Sequence, residues 1–270
     1  MSLQTMGRHI LPLLGVPVLG AGVLFCSVPQ TTAAPQHFEK HFPVKGHPVV
    51  CIHNIANGRI EVKSTKNSEV VVAGTQASAK VSLETESAGD RIDVSASAVD
   101  PSAAPADLEV NFQLSVPEET ELELKTQTGL IYVEQVMGDM TLQSVAGDIH
   151  LKEVSGYIVV RTTNGSLVCA QCAGKLDFSS VSGNAQLLQP GLTNVTLFTT
   201  SGNILFDGDF IRTGIYTMRS GKGTVEVHFS GNDSFDLNAQ TATGTAARMS
   251  AHPIWAPKIW LVASNPSAWP

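Results

Sequence analysis

Residues 129–183 read GLIYVEQVM GDMTLQSVA GDIHLKEVS GYIVVRTTN GSLVCAQCA GKLDFSSVS G when written in blocks of nine. Glycine opens every block, at Gly129, Gly138, Gly147, Gly156, Gly165, Gly174 and Gly183. Two and four residues after each glycine stand apolar side chains, from Ile131 and Val133 through Ile149 and Leu151 to Ala185 and Leu187. Apolar residues at a period of two describe short strands with one buried face. Two residues before the glycines, Val136, Val145, Val154, Cys172 and Val181 read as a further inward position, with Thr163 in that slot before Gly165. Each block is then one strand and one tight corner. Glycine is assigned to the corner because it takes positive φ without the strain other residues meet.

The blocks also pair. Three residues before every second glycine stands a hydroxyl: Thr126, Ser144, Thr162, Ser180 and Thr199. The corners between carry Gln135, Glu153 and Gln171 at the same place. Two kinds of corner alternate, so the structural unit is about eighteen residues holding two strands. One such unit cannot bury its own apolar face and has to stack on its neighbours. The predicted fold class is all-β: a flattened parallel β-solenoid with a dry core between two sheets, fronted by an N-terminal β-meander that caps its first edge.

Outward from this stretch the chain divides into five predicted regions. Residues 1–34 pair Arg8 with an uncharged run from Ile10 to Val28 and small residues at Thr31–Ala34, which is the layout of a signal peptide. The nineteen-residue run leaves a membrane anchor over residues 10–28 as the alternative. Residues 35–47 are a linker with His37, His41 and His47, read as polar lead-in because no cysteine or carboxylate set completes a zinc site. Residues 48–125 form the β cap region, residues 126–246 the repeats, and residues 247–270 a tail holding Trp255, Trp260 and Trp269. That tail is read first as a cover for the last coil, and second as a docking or membrane-interface segment.

Composition narrows the function. The chain has 270 residues, 15% of them charged, with a formal charge of −7 and no basic cluster, which argues against nucleic acid as a partner. One glycine per block without the repeated aspartate departs from the calcium-binding β-roll. Eighteen residues on from Asp139 come Tyr157 and then Lys175, so stacking brings no two carboxylates together for glycoside cleavage. Cys169-Ala-Gln-Cys172 occupies inward slots of the repeat, which predicts buried thiols or a disulfide formed after export. Tyr132, His150, Val168, Gln186 and Leu205 are expected to form one external stack, with Tyr157 and Val159 on the other sheet. No catalytic, cofactor-binding or metal-binding residue is assigned.

An Asn-x-x-x-Gly-x-Ile-x-Val opening (Asn54 to Val62), the Val116-Pro117 hinge, Leu-x-Leu-x-Thr-x-x-Gly-x-Ile repeats and a closing Thr241-Ala-Thr-Gly244 carry a resemblance. Over residues 48–246 the chain resembles the bacterial envelope β-strand-repeat family of unknown function, whose members are labelled adhesins or auto-transporter adhesin head domains. The resemblance implies a secreted or membrane-attached β-solenoid and brings no catalytic residues with it. The expectation is therefore a non-catalytic envelope protein in the periplasm, on the cell surface or outside the cell, with a structural, adhesion-like or interaction role. Its partner would be an envelope protein or a glycan, and it would meet the membrane only through an uncleaved N-terminal segment. The alternatives are a carbohydrate-active solenoid enzyme and an accessory or sensor domain of an envelope stress pathway.

Overall fold

The computed structural model describes residues 35–100, 102–229, 236–243, 246–251 and 260–261. The expected leader over residues 1–34, the turn at Gly244, and Trp255 and Trp269 lie outside the described residues. Among those described, no helix is long and apolar enough to cross a membrane.

The repeats fold as strand pairs, one long and one short. They are β8 (Glu121–Thr128) and β9 (Ile131–Glu134), β10 (Met140–Ala146) and β11 (Ile149–Lys152), and β12 (Ser155–Thr162) and β13 (Leu167–Ala170). β14 (Ala173–Ser182) and β15 (Ala185–Leu188), β16 (Gly191–Ser201) and β17 (Ile204–Asp207), and β18 (Ile215–Lys222) and β19 (Val225–Phe229) continue the series. β20 (Asp236–Thr243), β21 (Ala246–Ala251) and the two-residue β22 (Trp260–Leu261) follow. Long strands lie side by side in one 11-stranded sheet and short strands in the other. All pairing through the repeats is parallel, and the whole is a β-solenoid of about 6 turns with roughly 19 residues per turn.

In the regular part the register step is eighteen: Leu122, Met140, Ile158 and Leu176 are successive partners. The inward columns are aliphatic. Leu124, Leu142, Val160, Phe178 and Leu197 form one, and Val133, Leu151, Cys169, Leu187 and Phe206 face them from the short strands, all buried. Each such side chain taken from water contributes about 1.5–3 kcal/mol, and this burial holds the coils together. The step grows to nineteen between Leu176 and Val195, where the register slips by one residue, and then to twenty-one between Val195 and Tyr216. The added residues are not idle. Phe210 folds back into the core and stacks on Phe206 with ring centroids 4.6 Å apart, edge-on to Tyr216 and Phe229. The Tyr216 hydroxyl, buried with them, donates to the Leu192 carbonyl at 2.7 Å and accepts from Ile211 N–H at 2.9 Å.

The front section is more interleaved than a meander. It comprises β1 (Gln36–Pro43), β2 (Val49–Asn57), β3 (Ile60–Thr65), β4 (Glu69–Gln76), β5 (Val81–Ala88), β6 (Arg91–Ala98), a 3-10 turn (Pro105–Leu108) and β7 (Val110–Pro117). The pair β2–β3 is itself a coil. It takes β8–β9 on one side and β6–β7 on the other, all in parallel. The antiparallel strands β1, β4 and β5 then close that end. At the opposite end β22 pairs with β20, so the tail continues the long-strand sheet at Trp260 and Leu261.

Candidate functional site

The two corners of the coil solve different steric problems. At the first, Gly58, Gly129, Gly202 and Gly223 take positive φ, but Gly147, Gly165 and Gly183 between them do not. They are glycine for another reason: a Cβ on Gly147 would lie 1.9 Å from the Gly129 carbonyl oxygen, and one on Gly165 2.0 Å from that of Gly147. The column runs from Gly58 through Gly129, Gly147, Gly165, Gly183 and Gly202 to Gly223, each fitting against the carbonyl of the one before. Gly138, Gly156 and Gly174 do take positive φ, and they too meet a backbone carbonyl at 2.1 to 2.3 Å. Gln135, Glu153, Gln171 and Gln189 also take positive φ at the second corner. Close stacking, more than positive φ, explains the glycine period.

The first corner also corrects one expected side-chain direction. Val145 and Val181 are 52% and 54% exposed, and Thr163 is exposed as well. The inward residue there is the hydroxyl one position earlier, and Thr126, Ser144, Thr162, Ser180, Thr199 and Ser220 are all buried. Val136, Val154 and Cys172, at the second corner, do point inward. The physical reason is strand alternation: β10 runs on to Ala146 and β14 to Ser182, so the inward face held by Leu142 and Phe178 falls next on Ser144 and Ser180 and leaves Val145 and Val181 outside. In two later coils the inward hydroxyl also meets a glycine carbonyl: Thr199 Oγ1 donates to Gly183 O at 3.0 Å and Ser220 Oγ to Gly202 O at 2.7 Å. The Ser144, Thr162 and Ser180 hydroxyls are buried beside the same column with no hydrogen-bond partner.

Because the hydroxyl residue turns in, its two neighbours turn out, and their columns flank a groove of about 520 Å³ that runs across the strands. Four rungs line it. They are His53 and Asn54 on β2; Lys125, Thr126 and Gln127 on β8; Gln143, Ser144 and Val145 on β10; and Arg161, Thr162 and Thr163 at the end of β12. Register places His53, Lys125, Gln143 and Arg161 in one column and Asn54, Thr126, Ser144 and Thr162 in the next.

The groove's basic side chains are balanced at its rim. Lys125, Arg161 and His53 line it, and no Asp or Glu does. Carboxylates stand just outside. Lys125 pairs with Glu123, and the Lys125 hydrogen bond holds that carboxyl below its usual range. Arg161 grips Asp177 through Nη1 and Nη2 at 3.2 and 3.0 Å. His53 Nε2 lies 3.8 Å from Glu123 Oε1 and has no hydrogen-bond partner. A smaller hollow of about 310 Å³ adjoins on the same face, lined by Cys51, Glu84, Glu86 and Asp93 among others. Burial pushes the Cys51 thiol up to about 12, helped by the Asp93 carboxylate.

The other singled-out residues are dispersed. Cys169 and Cys172 are joined by a disulfide with Cα atoms 6.0 Å apart, and Cys51 is free and buried. His41 meets Glu39 and Glu69, while His47 meets Glu119. Among the described residues no group of three His, Cys, Asp or Glu is placed to hold a metal ion. Tyr132, His150, Val168, Gln186 and Leu205 share one external column, and Arg59 and Lys63 sit over the Tyr132 ring. Sequence reading found the hydroxyl corners but not the groove. Its trace is the outward–hydroxyl–outward triplet recurring as Lys-Thr-Gln, Gln-Ser-Val and Arg-Thr-Thr.

An all-β parallel solenoid with stacked glycine corners defines the class of protein. The chain belongs to the family described as Toastrack DUF4097, which it matches over residues 52–248. No curated protein matches it. Among solved structures it is similar to a candidate adhesin from Bacteroides fragilis at 11% identity, covering 84% of this chain and 97% of that one with a TM-score of 0.46. It is also similar to a candidate cell adhesion protein from Clostridium sporogenes at 9% identity, covering 81% and 99% with a TM-score of 0.39.

Proposed function

We propose that this protein is an exported, non-enzymatic component of the bacterial cell envelope that acts by presenting its solenoid face to a partner. The groove carries this reading. It offers amides, hydroxyls and cations for contact, while glycoside cleavage would call for two carboxylates on either side of the scissile bond. The apolar run of residues 10–28 supports export, as a cleaved signal or as an anchor. The test combines N-terminal sequencing of the mature protein with cell fractionation. Cleavage near residue 33, or recovery of the intact chain in the membrane fraction, is expected; recovery of the intact chain in the cytoplasm would overturn the reading.

The second reading, a carbohydrate-active enzyme, draws on the acidic hollow beside the groove, where Glu84, Glu86 and Asp93 surround Cys51. A panel of glycans incubated with the protein separates the two. Hydrolysis or lyase products that vanish in Asp93→Asn or Glu86→Gln would favour the enzyme.

A further inference from the structure

We infer that the groove between His53 and Thr163 binds a linear glycan bearing carboxylate groups, laid along the solenoid axis. The inference rests on the proposed interaction role and names the partner's chemistry. The lining residues repeat at four neighbouring strands, so the groove crosses the strands at about 4.8 Å per rung and spans roughly 14 Å. Its occupant is therefore a chain of repeating units that runs across the strands.

A glycan fits this path better than a peptide does. Extended peptides gain affinity by adding a strand to a free sheet edge. Here β2, β8, β10 and β12 each have a strand on both sides, so their main-chain groups are committed to the sheet. What the groove offers is side-chain chemistry: the amides of Gln127 and Gln143 and the hydroxyl of Thr163, which can exchange hydrogen bonds with sugar hydroxyls, and the exposed Val145 for the apolar face of a ring.

In a chain of formal charge −7 no carboxylate lines the groove itself, and its two cations, Lys125 and Arg161, are each paired at the rim, with Glu123 and Asp177. Asp177 holds the Arg161 guanidinium by Nη1 and Nη2 and the Val160 carbonyl takes the other Nη1 hydrogen, which fixes its plane and leaves Nε–H and one Nη2 hydrogen for a ligand. Lys125 spends one of its three donors on Glu123. Two oriented cations on rungs two apart suit carboxylates recurring along a polymer.

Titration calorimetry of the folded mature chain with hexagalacturonate, cellohexaose and hexaglutamate tests this. Binding of hexagalacturonate is expected, weakened about tenfold or more by Arg161→Ala and by Lys125→Ala, unchanged by the distant Lys66→Ala, and falling with added salt. Circular dichroism and melting of each variant establish that the fold is kept. No hexagalacturonate binding, or binding indifferent to both groove variants, overturns the inference. Equal binding of cellohexaose overturns the carboxylate, and equal binding of hexaglutamate overturns the sugar. Fractionation of cells carrying the wild-type chain keeps the two readings apart: an envelope location with failed calorimetry removes only the ligand class, and recovery of the intact wild-type chain in the cytoplasm removes the envelope reading itself.

Discussion

A single methyl group measures how closely the coils stack. In Gly147→Ala the new Cβ would lie 1.9 Å from the Gly129 carbonyl oxygen, so two backbones must separate. At Gly191, whose φ is ordinary, a Cβ would meet nothing nearer than 3.7 Å. Urea unfolding is expected to place Gly147→Ala about 3 kcal/mol below wild type, as overpacking of a close-packed interior does, and Gly191→Ala within about 1 kcal/mol of it. A cost at Gly191 equal to that at Gly147 would contradict the stacking account. Cys51 gives a pH test at the same scale. Its folded value is raised from 9.0 to about 12, so its contribution to stability is complete below pH 9 and is lost as the pH climbs toward 12. Wild type is expected to lose stability over that window by more than Cys51→Ala does, and iodoacetamide at pH 8.5 is expected to label Cys51 only after unfolding.

At the level of elements, the coils tolerate exchange where their slots are alike. The Cys169 slot holds Val133, Leu151 and Leu187 in neighbouring coils, and the Cys172 slot holds Val136 and Val154. The double variant Cys169→Val, Cys172→Val is therefore expected to fold, losing about 2 kcal/mol for so short a closed loop; a chain that fails to fold would make the disulfide essential to the corner. The enlarged coil behaves differently. Phe210 is stacked on Phe206 and edge-on to Tyr216 and Phe229, so Phe210→Ala is expected to cost about 3 kcal/mol in thermal or urea unfolding. A loss below 1 kcal/mol would mean that the residues between Asp207 and Ile215 are a loose loop.

Across the whole molecule, the coil was legible because period-two alternation and a ninefold glycine leave few alternatives. The direction of Val145 and Val181 was not, since it turns on how far the strand alternation runs before the corner, which an apolar residue beside a glycine does not reveal. The order of the front coils was hidden for a similar reason: β2–β3 and β6–β7 alternate alike, and nothing local tells which neighbour each will stack on. The groove follows from the same hydroxyl corners, and only register brings His53 beside Lys125, seventy-two residues away in sequence. The account depends on parallel, in-register stacking, and spin-label distances test it most directly. With Tyr132→Cys labelled against Gln186→Cys, Leu205→Cys or Glu226→Cys, the external column predicts separations of about 14, 19 and 24 Å, a constant step per coil. Separations that fail to lengthen from one coil to the next would contradict it.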